Sequence, residues 1–180
     1  MEHQKRNEHW HYDVISRHLH WTLALLIIGM ISVGWYMMSI ADSPDSRVYF
    51  NLHKSFGIIT GLLVLLSVIW RIKHKPAPLP LSIALWQVRL ARLVQMLLYV
   101  CIMMMPVTGF LGASYGRHGI AFFGWQIPTW LTQNTGLSKQ LFEIHGIVVW
   151  VLVGLIAVHV LAAFKHLLMD KDGVFQRMWK

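Results

Sequence analysis

The run from Leu141 to Leu168 is almost wholly apolar, and it carries three histidines, His145, His159 and His166. A stretch of that length and character is a helix spanning lipid, where each backbone N–H and C=O must find its partner within the segment. The histidines are separated by 14 and 7 residues. At about 100° per residue those steps fall about 40° and 20° short of whole turns, so all three share one stripe. His145 and His159 then lie about 21 Å apart along the axis, close to opposite faces of a hydrocarbon core about 30 Å thick. A histidine inside a span is costly, and it usually faces the bundle interior or serves a function. Two on one stripe call for partners on neighbouring helices.

Three further apolar runs supply those neighbours. Residues 18–40, 51–71 and 90–113 each read as a span, with 141–168 as the fourth. The chain is 56% hydrophobic and only 13% charged, which places it among membrane proteins. The expected fold is all-α, an integral membrane four-helix bundle forming a single domain over 1–180. The first run is too long for the apolar part of a signal peptide and lacks a small-residue cleavage site, so it is expected to stay. The formal charge of +8 does not point to nucleic acid, because the basic residues flank the apolar runs instead of clustering on a polar domain. Twelve of the 16 Lys and Arg residues fall on one side of this topology, from Lys5, Arg6 and Arg17 through Arg71, Lys73, Lys75, Arg89 and Arg92 to Lys165, Lys171, Arg177 and Lys180. Arg47, Lys54, Arg117 and Lys139 fall on the other. The asymmetry predicts that both termini are cytoplasmic. The lone Cys101 sits in an apolar run, which leaves no disulfide framework, no zinc site and no covalent c-type haem.

The histidines sort by depth. His20 opens the first span and His159 lies late in the fourth, both toward the cytoplasm. His53 opens the second span and His145 lies early in the fourth, both toward the outside. Two pairs at two depths, with one helix giving a ligand to each, suit two haems stacked across a membrane, since haem iron takes an axial ligand on each face. Zinc or copper would need three or four ligands clustered at one depth. Gly34 and Ser67, each 14 residues beyond a histidine, are expected to clear room for the opposite ring. Gly57 and Gly61 continue the His53 face, and Arg71 closes it at the far end. His18 faces away from His20 and reads as interfacial, and His3, His9 and His11 read as solvated. The third span has no histidine, so Pro106, Gly109 and Gly112 suggest packing and not ligation. The segment between 113 and 141, with Tyr115, Phe122, Phe123, Trp125 and Trp130, is expected to lie on the interface or cover the bundle end without a fifth crossing.

The His20-Trp21 pair, the NLHKSFG segment around His53, Trp70-Arg71 followed by PAPLP, His145-Gly146, His159 and the closing KHLLMDKDGVFQRM together resemble the bacterial cytochrome b561 family. The resemblance covers nearly the whole chain. It implies two b-type haems with bis-histidine ligation, a multi-pass location in the bacterial inner membrane, and exchange of electrons with ubiquinone and ubiquinol. An external redox donor is implied as well, with superoxide a member of that class, and the reaction type would be quinone-linked oxidoreduction. Two other readings stand beside it. One is a cytochrome b membrane anchor that wires a partner dehydrogenase or hydrogenase to quinone. The other is a haem-free transporter whose histidines relay protons.

Other basic side chains near these sites have their own expected roles. Arg71 would pair a haem propionate at the cytoplasmic end or snorkel to headgroups. Lys54 would pair the outer haem's propionate, draw an anionic donor or remain solvated. His166, one heptad beyond His159, is expected at a cytoplasmic-side quinone site, where imidazole can hydrogen-bond a carbonyl and deliver a proton. Lys165 and Arg71 would support the developing negative charge there.

Overall fold

A computed structural model describes residues 10–75, 78–79, 83–128 and 131–179. His3, His9, Lys5, Arg6, Trp130, Lys180 and part of the proline-rich connector lie outside the described residues. Four long helices dominate: α1 (Val14–Ser39), α2 (Ser46–Lys73), α3 (Leu85–Tyr115) and α4 (Thr135–Lys165). Each is long and apolar enough to cross a membrane, as the sequence leads one to expect. Two of the helices, α1 and α4, run past their apolar stretches from capped polar starts. Asp13 accepts from the Ser16 amide at the start of α1, and Asn134 accepts from the Leu137 amide at the start of α4.

The interior is thin. Cys101, Val148 and Leu152 form a small buried cluster with Ile27, Leu98 and Ile156 packed against it. Large apolar side chains such as Leu25, Leu62, Trp150 and Leu161 stand exposed on the outward faces. A soluble bundle could not hold so much apolar surface in water, whereas in lipid it costs nothing. A close backbone approach joins α2 to α3. A Cβ built on Gly61 would stand 2.8 Å from the Pro106 Cβ, so only glycine lets the two backbones meet there. Gly57, one turn earlier, faces Met30 of α1.

Between α3 and α4 the segment expected to lie on the interface or cover the bundle end contains a short hairpin. Strands β1 (Ile120–Phe122) and β2 (Trp125–Ile127) pair antiparallel around a turn in which Phe123 (φ 45) and Gly124 (φ 91) are both left-handed. Phenylalanine rarely takes that conformation, and here Ser55 helps hold it. The buried Ser55 hydroxyl donates to the Asn51 carbonyl at 2.8 Å and accepts from the Phe123 amide at 2.8 Å. Lys54 Nζ donates to the Gly119 carbonyl at 3.0 Å, so it is not the plain solvated lysine of one sequence reading. The hairpin therefore sits on the first turns of α2, next to His53, and covers that end of the bundle without crossing it.

At the opposite end the two ends of the described chain meet. The Tyr12 amide donates to the Arg177 carbonyl at 3.1 Å, Arg177 Nε to the Trp10 carbonyl at 2.9 Å, and Trp21 Nε1 to the Met178 carbonyl at 3.0 Å. Trp70 of α2 donates to Asp13 at 3.0 Å and ties α2 into the same seam. Burial alone would raise the Asp13 pKa, but bonds from Ser16 and Trp70 outweigh it and hold the carboxyl below its ordinary range. His11 belongs to this seam too, with Nδ1 3.3 Å from the Gln176 carbonyl, and is half-buried where full solvation was expected. The C-terminal residues of α5 (Gln176–Trp179) are thus anchored to the N-terminal entry of α1.

Candidate functional site

Helix α4 presents His145 and His159 at two depths, and each faces a histidine from another helix. The rings of His20 (α1) and His159 have centroids 6.2 Å apart and planes inclined at 63°. Those of His53 (α2) and His145 have centroids 6.5 Å apart, inclined at 75°. All four side chains are half-buried. Two imidazole nitrogens bound about 2 Å from one metal, on opposite sides of it, would hold their ring centres about 6 Å apart. Both pairs have that separation. His18, by contrast, is exposed, in keeping with the interfacial role expected for it.

The surroundings of the His53–His145 pair are unequal. His53 Nδ1 is buried with no hydrogen-bond partner among the described residues. An unpartnered buried polar group costs about 1–3 kcal/mol, which makes this histidine a poor purely structural residue. Gly34 of α1 lies against its ring, and a Cβ there would stand 3.3 Å from His53 Cε1. The clearance expected at Gly34 is therefore used, among the described contacts, by the imidazole itself. His145 is seated on α3 instead. A Cβ on Gly109 would stand 3.2 Å from its Cε1, and Thr108 Oγ1 lies 3.0 Å from its Nδ1. The third span thus does more than pack: it grips one of the paired histidines. That contribution was missed in the sequence because a Thr-Gly step in an apolar run carries no signal of its own.

The remaining candidates gather at the two ends. Lys54, Arg117 and His118 line a cavity of about 420 Å³ with Phe50, Ser138 and Phe142, at the hairpin end of the bundle. At the other end α4 does not continue unbroken. It ends as an α-helix at Lys165 and passes into a π-helical turn, His166–Asp170, whose first residue still donates its amide to the Ala162 carbonyl. Its Nδ1 lies 2.6 Å from Asp172 Oδ2 and 3.4 Å from Asp170 Oδ2. Lys165 pairs with Asp170, so the free ammonium expected beside a quinone is already engaged. Arg71 holds its guanidinium 5.1 Å from the Tyr12 ring centroid, and Arg177 stands 5.3 Å from the same ring.

The prokaryotic cytochrome b561 family matches residues 11–180. The chain belongs to that family. Two Escherichia coli (strain K12) proteins are similar along nearly their whole lengths. Cytochrome b561 homolog 2 is 29% identical over 176 residues, covering 93% of this chain and 90% of that protein. Cytochrome b561 homolog 1 is 28% identical over 170 residues, covering 89% of this chain and 92% of its own. As a cytochrome b561 with four apolar spans, the protein is a multi-pass component of the bacterial inner membrane that binds haem b and transfers electrons. The residues present suit that group: imidazole is a common donor to haem iron, His53 has a buried nitrogen unpartnered among the described residues, and glycines leave room for the His53 and His145 rings.

Proposed function

We propose that the protein carries electrons from a donor outside the membrane to ubiquinone at the cytoplasmic end, through two haems held by His53 with His145 and by His20 with His159. The observation that carries this reading is the pair of ring separations, 6.5 and 6.2 Å, at two depths of one helix. Bound haems supply the one-electron carriers. The chain fixes their positions by placing the two α4 ligands 14 residues apart, about 21 Å along the axis.

The orientation with both termini in the cytoplasm rests on the distribution of Lys and Arg. Reporter fusions after Lys75 and after Lys180 should read as cytoplasmic and one near Gln133 as external; the reverse pattern would invert the direction of the pathway. In this orientation the cavity lined by Lys54, Arg117 and His118 opens on the outer side near His53, where its positive charge favours a small anionic donor such as superoxide. At the inner end Arg71 is the candidate partner for a propionate, within a cationic end that also holds Arg177.

His166 is the candidate quinone-site residue. With Nδ1 committed to the Asp172 carboxylate, Nε2 is left to meet a quinone carbonyl, and Asp170 and Asp172 can hold the proton delivered through the ring. Replacing His166 with alanine should leave both haems in the absorption spectrum while slowing ubiquinone-dependent reoxidation of the reduced protein. Unchanged reoxidation would remove His166 from the site, and a lost haem would mean that the ligands are misassigned. Reduction of the haems that required an added dehydrogenase would favour the membrane-anchor reading.

A further inference from the structure

We infer that Thr108, toward the C-terminal end of a span without histidines, fixes the tautomer of His145 and lowers the reduction potential of the haem bound there. The inference rests on the ligand role proposed for His145, and its starting point is a proton count. A threonine hydroxyl has one hydrogen to donate and two lone pairs to accept. The Thr108 hydrogen is committed to its own helix, with the Met104 carbonyl at 2.7 Å and the Met105 carbonyl at 3.1 Å. With that hydrogen on the Met104 carbonyl, the oxygen accepts toward His145 Nδ1 at 3.0 Å, and the Met105 carbonyl is a second acceptor for the same ring. Nδ1 must carry the proton, and in a neutral imidazole Nε2 is then the bare nitrogen, free to bind a metal.

The arrangement also has an electronic consequence. A hydroxyl that donates to a carbonyl becomes a better acceptor, because hydrogen bonds in a chain polarise one another. Accepting from the distal N–H of a metal-bound imidazole raises the basicity of the ligand, and a more basic ligand favours the ferric over the ferrous state. His53, the other ring of the pair, has no such partner on Nδ1 among the described residues. Control over the outer site thus falls on α3, where Thr108 holds the ring through its nitrogen and Gly109 leaves room for its edge. Thr108 is itself buried, so water does not compete for the bond. Thr108 is a positioning residue and acts only through His145.

The test uses the full-length protein with its haems, and substitutes Thr108→Val, which keeps the shape and removes the hydroxyl, and Thr108→Ser, which keeps the hydroxyl. Redox titration should move the midpoint of the outer haem to a more positive potential in Thr108→Val and leave the inner haem unchanged. The low-spin ferric resonance of the outer haem alone should change as well. Thr108→Ser should return both toward the parent protein. If the valine variant assembles without its outer haem, Thr108→Ala against Thr108→Ser makes the same comparison without a branched side chain. Equal potentials with and without the hydroxyl would overturn the inference. Retention of the outer haem in His145→Ala would instead overturn the ligand assignment beneath it, so the two failures are distinguishable.

Discussion

Replacing His145 with alanine should halve the haem content of the purified protein and leave a single low-spin b-type spectrum. His145 faces His53 at 6.5 Å between ring centroids, while the next histidine on its helix, His159, is 14 residues away. That is about 21 Å along the axis, so no other α4 side chain can take its place at the same depth. The inner pair does not touch this site, and its spectrum should persist. His53→Ala should give the same result, because an iron with one remaining axial imidazole is five-coordinate and loosely held. A protein that kept two six-coordinate haems after either change would have its outer ligands elsewhere.

His159→Ala should have the larger effect on function, because it removes the inner carrier and leaves the outer one intact. Reduction of the remaining haem by an external donor should proceed, and ubiquinone-dependent reoxidation should fall to the background rate. The inner ring pair, 6.2 Å apart, is the one on the same side as His166 and the seam of termini. With it gone, an electron at His53 and His145 faces most of the membrane thickness with no intermediate stop. Stopped-flow reduction from the donor side, followed by a quinone jump, separates the two half-reactions. Rapid quinone reoxidation in this variant would place the quinone at the outer end of the bundle.

The spans and the paired histidines could be read from the chain because both depend on local periodicity. Fourteen residues is nearly four helical turns, so the His145–His159 relation survives whatever the helix packs against. Helix ends were less legible, since the caps at Asp13 and Asn134 extend helices into the polar interface, where hydropathy gives no signal. The hairpin was hidden for a different reason. Its turn puts Phe123 in a left-handed conformation that the residue disfavours, and a serine from α2 that is 68 positions away holds it. The same is true of Thr108 and Gly109, whose contact with His145 exists only once α3 lies beside α4. His166 shares the end of the bundle with His159, as one heptad of separation requires, but its π-turn and its carboxylate partners depend on a tail that folds back through Asp172.

The central claim is that this bundle holds two haems, each between two helices, and the haem-to-chain ratio of the detergent-purified full-length protein tests it most directly. Extraction of haem as its pyridine complex, set against protein by amino-acid analysis, should give two haem b per chain, with both ferric centres low-spin. One haem per chain, or a high-spin centre open on one face, would contradict the assignment of His20 with His159 and His53 with His145.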